Sequence, residues 1–154
     1  MTSNKEKQVL KSSAKLDFHE TKAALDLHRR FLQDVLADVM PILSTGERSP
    51  ERLIKALTAY WEACFARRAQ RKKILTLALE AQISPLIEPL GRPFFHMVLS
   101  ELWTIDDSVR NTLASTVYND ARAVAVSEAN LDKRLPALRE KVTQMITTGS
   151  VLAA

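Results

Sequence analysis

Only three glycines, Gly46, Gly91 and Gly149, interrupt a chain of 154 residues. A β-rich fold of that length needs many tight turns, and glycine most readily enters the conformations they demand. Between the three breaks no period-two alternation of apolar and polar residues is sustained. Apolar residues recur instead at steps of three and four, which draws one face of a helix. The chain is therefore expected to be all-α, a bundle of about six helices in one domain over residues 16–150. Residues 1–15, polar and lysine-rich, are expected to form a flexible basic tail.

A first helix is expected over residues 17–43, with a stripe of Ala24, Leu27, Phe31, Val35, Val39 and Ile42; Pro41 should loosen its last turn. Ser49 has the side chain of an N-cap, Pro50 suits the first helical position, and Glu51 lies near the positive helix end, so a second helix starts there. Its buried face carries Leu53, Ile54, Leu57, Tyr60, Trp61, Cys64 and Phe65. The basic run Arg67-Arg68-Ala69-Gln70-Arg71-Lys72-Lys73 reads as a solvated bend, with an anion or phosphate contact as its alternative, into a third helix with Ile74, Leu75, Leu77, Ala78 and Leu79.

Prolines and Gly91 then break the pattern, leaving a short turn at Leu86-Ile87. Pro93 opens a fourth helix with Phe94, Phe95, Val98, Leu99, Leu102 and Trp103. Asp106, Asp107 and Ser108 cap a long fifth helix that reaches about residue 129. A sixth runs over about residues 131–148, restarts at Pro136 and closes on Gly149.

Charge and cysteine narrow the function. The net charge is +4. Lys5, Lys7, Lys11 and Lys15 against Glu6 give the first fifteen residues +3 and leave +1 for the rest. The basic character belongs to the tail, so no direct nucleic-acid contact is expected of the body. A single cysteine, Cys64, cannot form an intrachain disulfide. The polar start lacks the apolar core of a signal peptide, and no apolar run reaches membrane-spanning length, which points to the cytoplasm.

No motif for catalysis or cofactor binding is present. His19, His28 and His96 form no HxxxH pair, so a metal site would need long-range assembly from His96, Glu80, Glu88 or Glu101. Cys64 lies on an apolar face among Tyr60, Trp61 and Phe65; a catalytic cysteine needs a basic partner and an electropositive setting, so it reads as a small core residue. No enzyme activity, cofactor or metal is expected.

The aromatic residues say more. Tyr60, Trp61, Phe65, Phe94, Phe95 and Trp103 fall on two helices, and such a group builds either an ordinary closed core or the wall of an apolar ligand cavity. The fifth helix carries alanines along one side, which suits either a four-helix contact between two chains or the cover of a monomer core.

Four segments resemble the C-terminal effector-binding and dimerisation domain of TetR-family transcriptional regulators. They are Ser49-Pro50-Glu51-Arg52-Leu53, Arg71-Lys72-Lys73-Ile74-Leu75, the pair Glu101-Leu102-Trp103 with Asp107-Ser108-Val109-Arg110, and the final helix ending near Gly149. The likeness covers about residues 17–150. The family's regulators begin with a helix-turn-helix domain. Residues 1–48 hold no glycine before Gly46 and no short recognition helix, so DNA binding is not carried over. Either that domain is absent from the protein or this chain is a truncated form.

The resemblance implies a ligand-binding, homodimerising regulatory domain for a small apolar or amphipathic molecule. A ligand cavity is then expected at Tyr60, Trp61, Cys64, Phe65, Leu77, Phe94, Phe95, His96, Val98 and Trp103. The homodimer face is expected at Val109, Leu113, Val117, Ala121, Leu138, Val142 and Met145. The alternative is a protein-interaction module that pairs with a partner such as a full-length regulator.

Overall fold

The computed structural model describes residues 18–81 and 88–152. The expected tail and the expected turn at Leu86-Ile87 lie outside the described residues. Six α-helices and no strand occur among them. They are α1 (Phe18–Leu43), α2 (Pro50–Ala66), α3 (Arg68–Ala81), α4 (Arg92–Glu101), α5 (Asp107–Leu131) and α6 (Pro136–Leu152); a single 3₁₀ turn, Glu88–Gly91, leads into α4.

The α1 stripe is inward-facing: Ala24, His28, Phe31, Val35 and Val39 are buried at steps of three and four. Helix α1 continues through Pro41, and Gly46 with φ 77° turns the chain beyond it. The start of α2 is capped as its sequence demands. Ser49 is extended, and its hydroxyl accepts from the Arg52 amide at 3.1 Å. Helix α2 is the central element, in contact with α1, α3, α4, α5 and α6. Leu53, Leu57 and Trp61 of α2 meet Phe31 and Val35 of α1, Val98 of α4, Val117 of α5 and Ile146 of α6 in one core.

Two buried carboxylates pin the helices together. Glu101, at the end of α4, accepts from the Ser49 amide at 3.2 Å and from the Arg52 guanidinium at 2.9 and 2.5 Å. Glu128 of α5 accepts from the Leu135 amide at 2.8 Å and from Arg139 of α6 at 2.7 and 2.8 Å. Arg139 also donates to Glu62 of α2 at 2.7 Å. A buried carboxylate is tolerable only when paired and hydrogen-bonded in this way. The pair at Glu128 fixes the α5–α6 turn, where Asp132 adopts the left-handed conformation with φ 55°.

Three boundaries differ from the sequence reading. Leu102 and Trp103 lie beyond the end of α4, and Leu131 closes α5 rather than opening α6. Gly149 is inside α6, not at its end. A Cβ at that position would stand 2.7 Å from Leu113 Cδ2, so glycine serves close packing of α6 on α5 there, not termination.

Candidate functional site

A small internal cavity lies where α1 to α5 converge. Its apolar wall comes from Leu32, Leu57, Phe94, Met97, Val98 and Ala121; its polar atoms come from His28, Tyr60, Arg71, Tyr118 and Arg122. Tyr60 and Phe94 face each other with ring centroids 5.6 Å apart, so the two aromatic helices do meet. The free volume is about 30 Å³, room for one water-sized group. Sites that enclose a whole organic ligand measure roughly 300–1,000 Å³.

The electrostatics of this cavity are unusual for an apolar interior. Arg71 is 5% exposed. One of its terminal nitrogens donates to Cys64 Sγ at 3.6 Å, and its guanidinium lies 5.3 Å from the Phe31 ring centroid. Its Nε has no hydrogen-bond partner, and neither has Nδ1 of the buried His28. Burial, then the positive charges of Arg71 and Arg122, lower the His28 pKa to about 4. Burial also pushes the Tyr60 hydroxyl and the Cys64 thiol upwards. Both stay protonated at neutral pH, so neither brings a negative charge to Arg71.

The ten residues expected to form the ligand site divide sharply. Tyr60, Phe94 and Val98 line the cavity. Trp61 and Cys64 belong to the closed core, where Trp61 Nε1 donates to the Ala121 carbonyl at 3.0 Å. Phe65 sits at the edge of the bundle between the guanidinium groups of Arg68 and Arg134, 4.3 and 4.5 Å from its centroid. Phe95 packs edge-on against Tyr118, and Leu77 is half-buried away from the cavity. His96 is exposed, and Trp103 is 56% exposed with its Nε1 donating to the Arg48 carbonyl at 3.3 Å. The last two leave the site because α4 turns His96 outward and ends before Trp103.

Four polar residues of the cavity, His28, Arg71, Tyr118 and Arg122, were not among the expected site residues. The signal for two was present. His28 lies four residues after Ala24 and three before Phe31, on the buried stripe. Arg71 lies three residues before the buried Ile74, on the inner face of α3. The solvated-bend reading of residues 67–73 therefore fails at Arg71. It fits the others better: Arg67 pairs with Asp38 at 2.9 Å, Arg68 pairs with Asp132, and Lys72 and Lys73 are exposed. Glu101, a member of the long-range metal set, is committed to Arg52, and no group of three potential ligands gathers among the described residues.

A second concavity runs along the outer side of α5 and α6, an open groove of about 810 Å³. Val109, Leu113, Leu138, Val142 and Met145 of the expected dimer face all line it. The other two do not: Val117 and Ala121 are buried inside the bundle, on the α5 face turned towards the core. Thr112, Thr116, Ser127, Gln144 and Thr148 add uncharged polar groups to the groove; Asp120 and Lys141 bring one charge of each sign.

No described helix is long and apolar enough to cross a membrane. No family model matches this chain, and no curated protein or solved structure is significantly similar to it.

Proposed function

We propose that this chain is a regulatory domain that pairs with a second copy of itself through α5 and α6 and takes a small amphipathic ligand in its interior. That is the role implied by the resemblance to TetR-family C-terminal domains. The observation that carries it is the groove along α5 and α6. Val109 and Leu138 are exposed on it, and Leu113 and Met145 are half-buried. An apolar face of this extent favours a partner over water.

The chemistry of the groove favours a second copy as that partner. An isologous contact brings the same patch against itself, so each charge meets the opposite one only if both signs are present. Asp120 and Lys141 meet that condition, because a two-fold axis along the groove can set Asp120 of one copy against Lys141 of the other. The hairpin that presents the face is held rigid by the Glu128–Arg139–Glu62 network, which lowers the ordering cost of association. The ligand half of the reading rests on the cavity where α1 to α5 converge, which must widen to admit more than a water-sized group. Nothing in this role requires catalysis, and no DNA contact is assigned to the chain.

Sedimentation velocity across a wide concentration range, with native mass spectrometry on the same sample, tests both halves. A concentration-dependent dimer is expected. A chain that sediments as a monomer at every concentration would remove the second copy from the groove.

A further inference from the structure

The geometry points to a specific chemistry for the interior ligand: a small organic anion, a carboxylate with an apolar stem, anchored by Arg71 and flanked by Arg122 and His28. This deepens the ligand half of the proposed function and is independent of the dimer half.

The argument starts from an imbalance. The other buried charges among the described residues are matched. Glu101 holds Arg52, and Glu128 holds Arg139. Arg71 is the exception: a guanidinium 5% exposed with no carboxylate paired to it among the described residues. A guanidinium does not lose its proton, so the charge cannot be avoided by titration. The Tyr60 hydroxyl, the Cys64 sulfur and the Phe31 ring, all uncharged, only partly replace the water it has given up. Its Nε–H has no acceptor.

The neighbouring groups have the same need. Arg122, half-buried on α5 at the same cavity, has no ion pair or hydrogen bond among the described residues. His28 offers a buried Nδ1 without a partner. Three nitrogen-bearing side chains on three helices, α1, α3 and α5, thus converge on one space with no acid among its lining residues. An anion there satisfies them together, with charge-assisted hydrogen bonds from arginine. The free volume of about 30 Å³ admits a water-sized group, so a carboxylate enters with its stem only as Phe94, Met97 and Val98 part. These apolar side chains with Leu57 then face the stem, which an inorganic anion would leave bare.

Thermal unfolding of the full chain in sodium butyrate, in 1-butanol and in sodium chloride at matched ionic strength tests this. Butyrate should raise the melting temperature saturably, while chloride and butanol should not. The Arg71 Nε–H resonance should shift over the same concentrations. Arg71→Met should weaken butyrate binding by roughly tenfold or more, the worth of a charge-assisted hydrogen bond. Arg122→Gln, at the half-buried rim, should weaken it by a smaller factor and guards against misfolding of the first variant. Equal stabilisation by butanol and butyrate would overturn the anion assignment and keep an apolar ligand site. No response to either compound would overturn both. Neither result bears on the dimer, which sedimentation reads separately.

Discussion

Leu113→Asp puts the proposed dimer to its most direct test. Leu113 is half-buried on α5 and lies in the groove against Gly149 of α6. Fully burying one leucine side chain contributes about 1.5–3 kcal/mol, and the half-buried Leu113 has about half of that left to gain at an interface. A two-fold axis counts the substitution twice, so the dimer should lose about 1.5–3 kcal/mol before the desolvation of two carboxylates is added. At about 1.4 kcal/mol per factor of ten, the dissociation constant should rise at least roughly 10- to 10²-fold. The monomer should keep its fold, because the new carboxylate reaches solvent along the open groove. Sedimentation velocity of the variant and the parent at equal concentration reads the association, and a thermal melt reads the fold. A folded variant that associates as tightly as the parent refutes the placement of the interface. Should the substitution unfold the chain, Thr116→Arg makes the same test from an exposed groove position.

Three further outcomes follow from the packing. Glu128→Ala should cost about 3–5 kcal/mol in urea unfolding, because it strands the Arg139 guanidinium, while Glu128→Gln should cost less by keeping an acceptor for the Leu135 amide. Trp61→Phe should destabilise by about 1–3 kcal/mol, through the lost hydrogen bond to the Ala121 carbonyl and the space left by the smaller ring; denaturant titration measures it. The pKa of His28 is lowered from 6.5 to about 4 in the folded chain, so the unfolded chain binds the extra proton. Stability is therefore unaffected by this group above pH 6.5. It falls as the pH drops from 6.5 towards 4, by at most about 1.4 kcal/mol per unit. His28→Leu should flatten that slope in urea titrations across the window, and an unchanged slope would contradict it.

The elements with local signals were legible in the sequence. Ser49-Pro50 marks the start of α2 because capping is a matter of neighbouring atoms, and the same holds for Asp106, whose carboxylate accepts from the Ser108 amide. The groove was legible in part, since Val109, Leu113, Leu138, Val142 and Met145 keep helical spacing on α5 and α6. Val117 and Ala121 share that spacing but lie on the flank of α5 that turns into the core. Periodicity reports that a face is apolar, not whether it meets its own bundle or another chain.

The cavity was read least well, and for a definite reason. Aromatic residues were expected to mark it, yet Trp103 and Phe65 found their partners outside, against Arg48 and between two arginines. The polar groups that mark it, His28, Arg71 and Arg122, are far apart along the chain. A run of five basic residues out of seven concealed which one of them turns inward; only the position of Arg71 relative to Ile74 distinguishes it.

The hydrogen bond from Trp61 to the Ala121 carbonyl gives the protein a built-in optical readout. With only two tryptophans, its intrinsic emission divides between an indole sealed between α2 and α5 and a second, Trp103, standing in solvent. An aqueous quencher such as iodide extinguishes the outer indole and leaves the inner one. Ala121 contributes both the carbonyl that holds Trp61 and part of the cavity wall, so a molecule entering beside it changes the light from the sealed indole. Occupancy of the interior can thus be followed in the unmodified chain, with no attached dye.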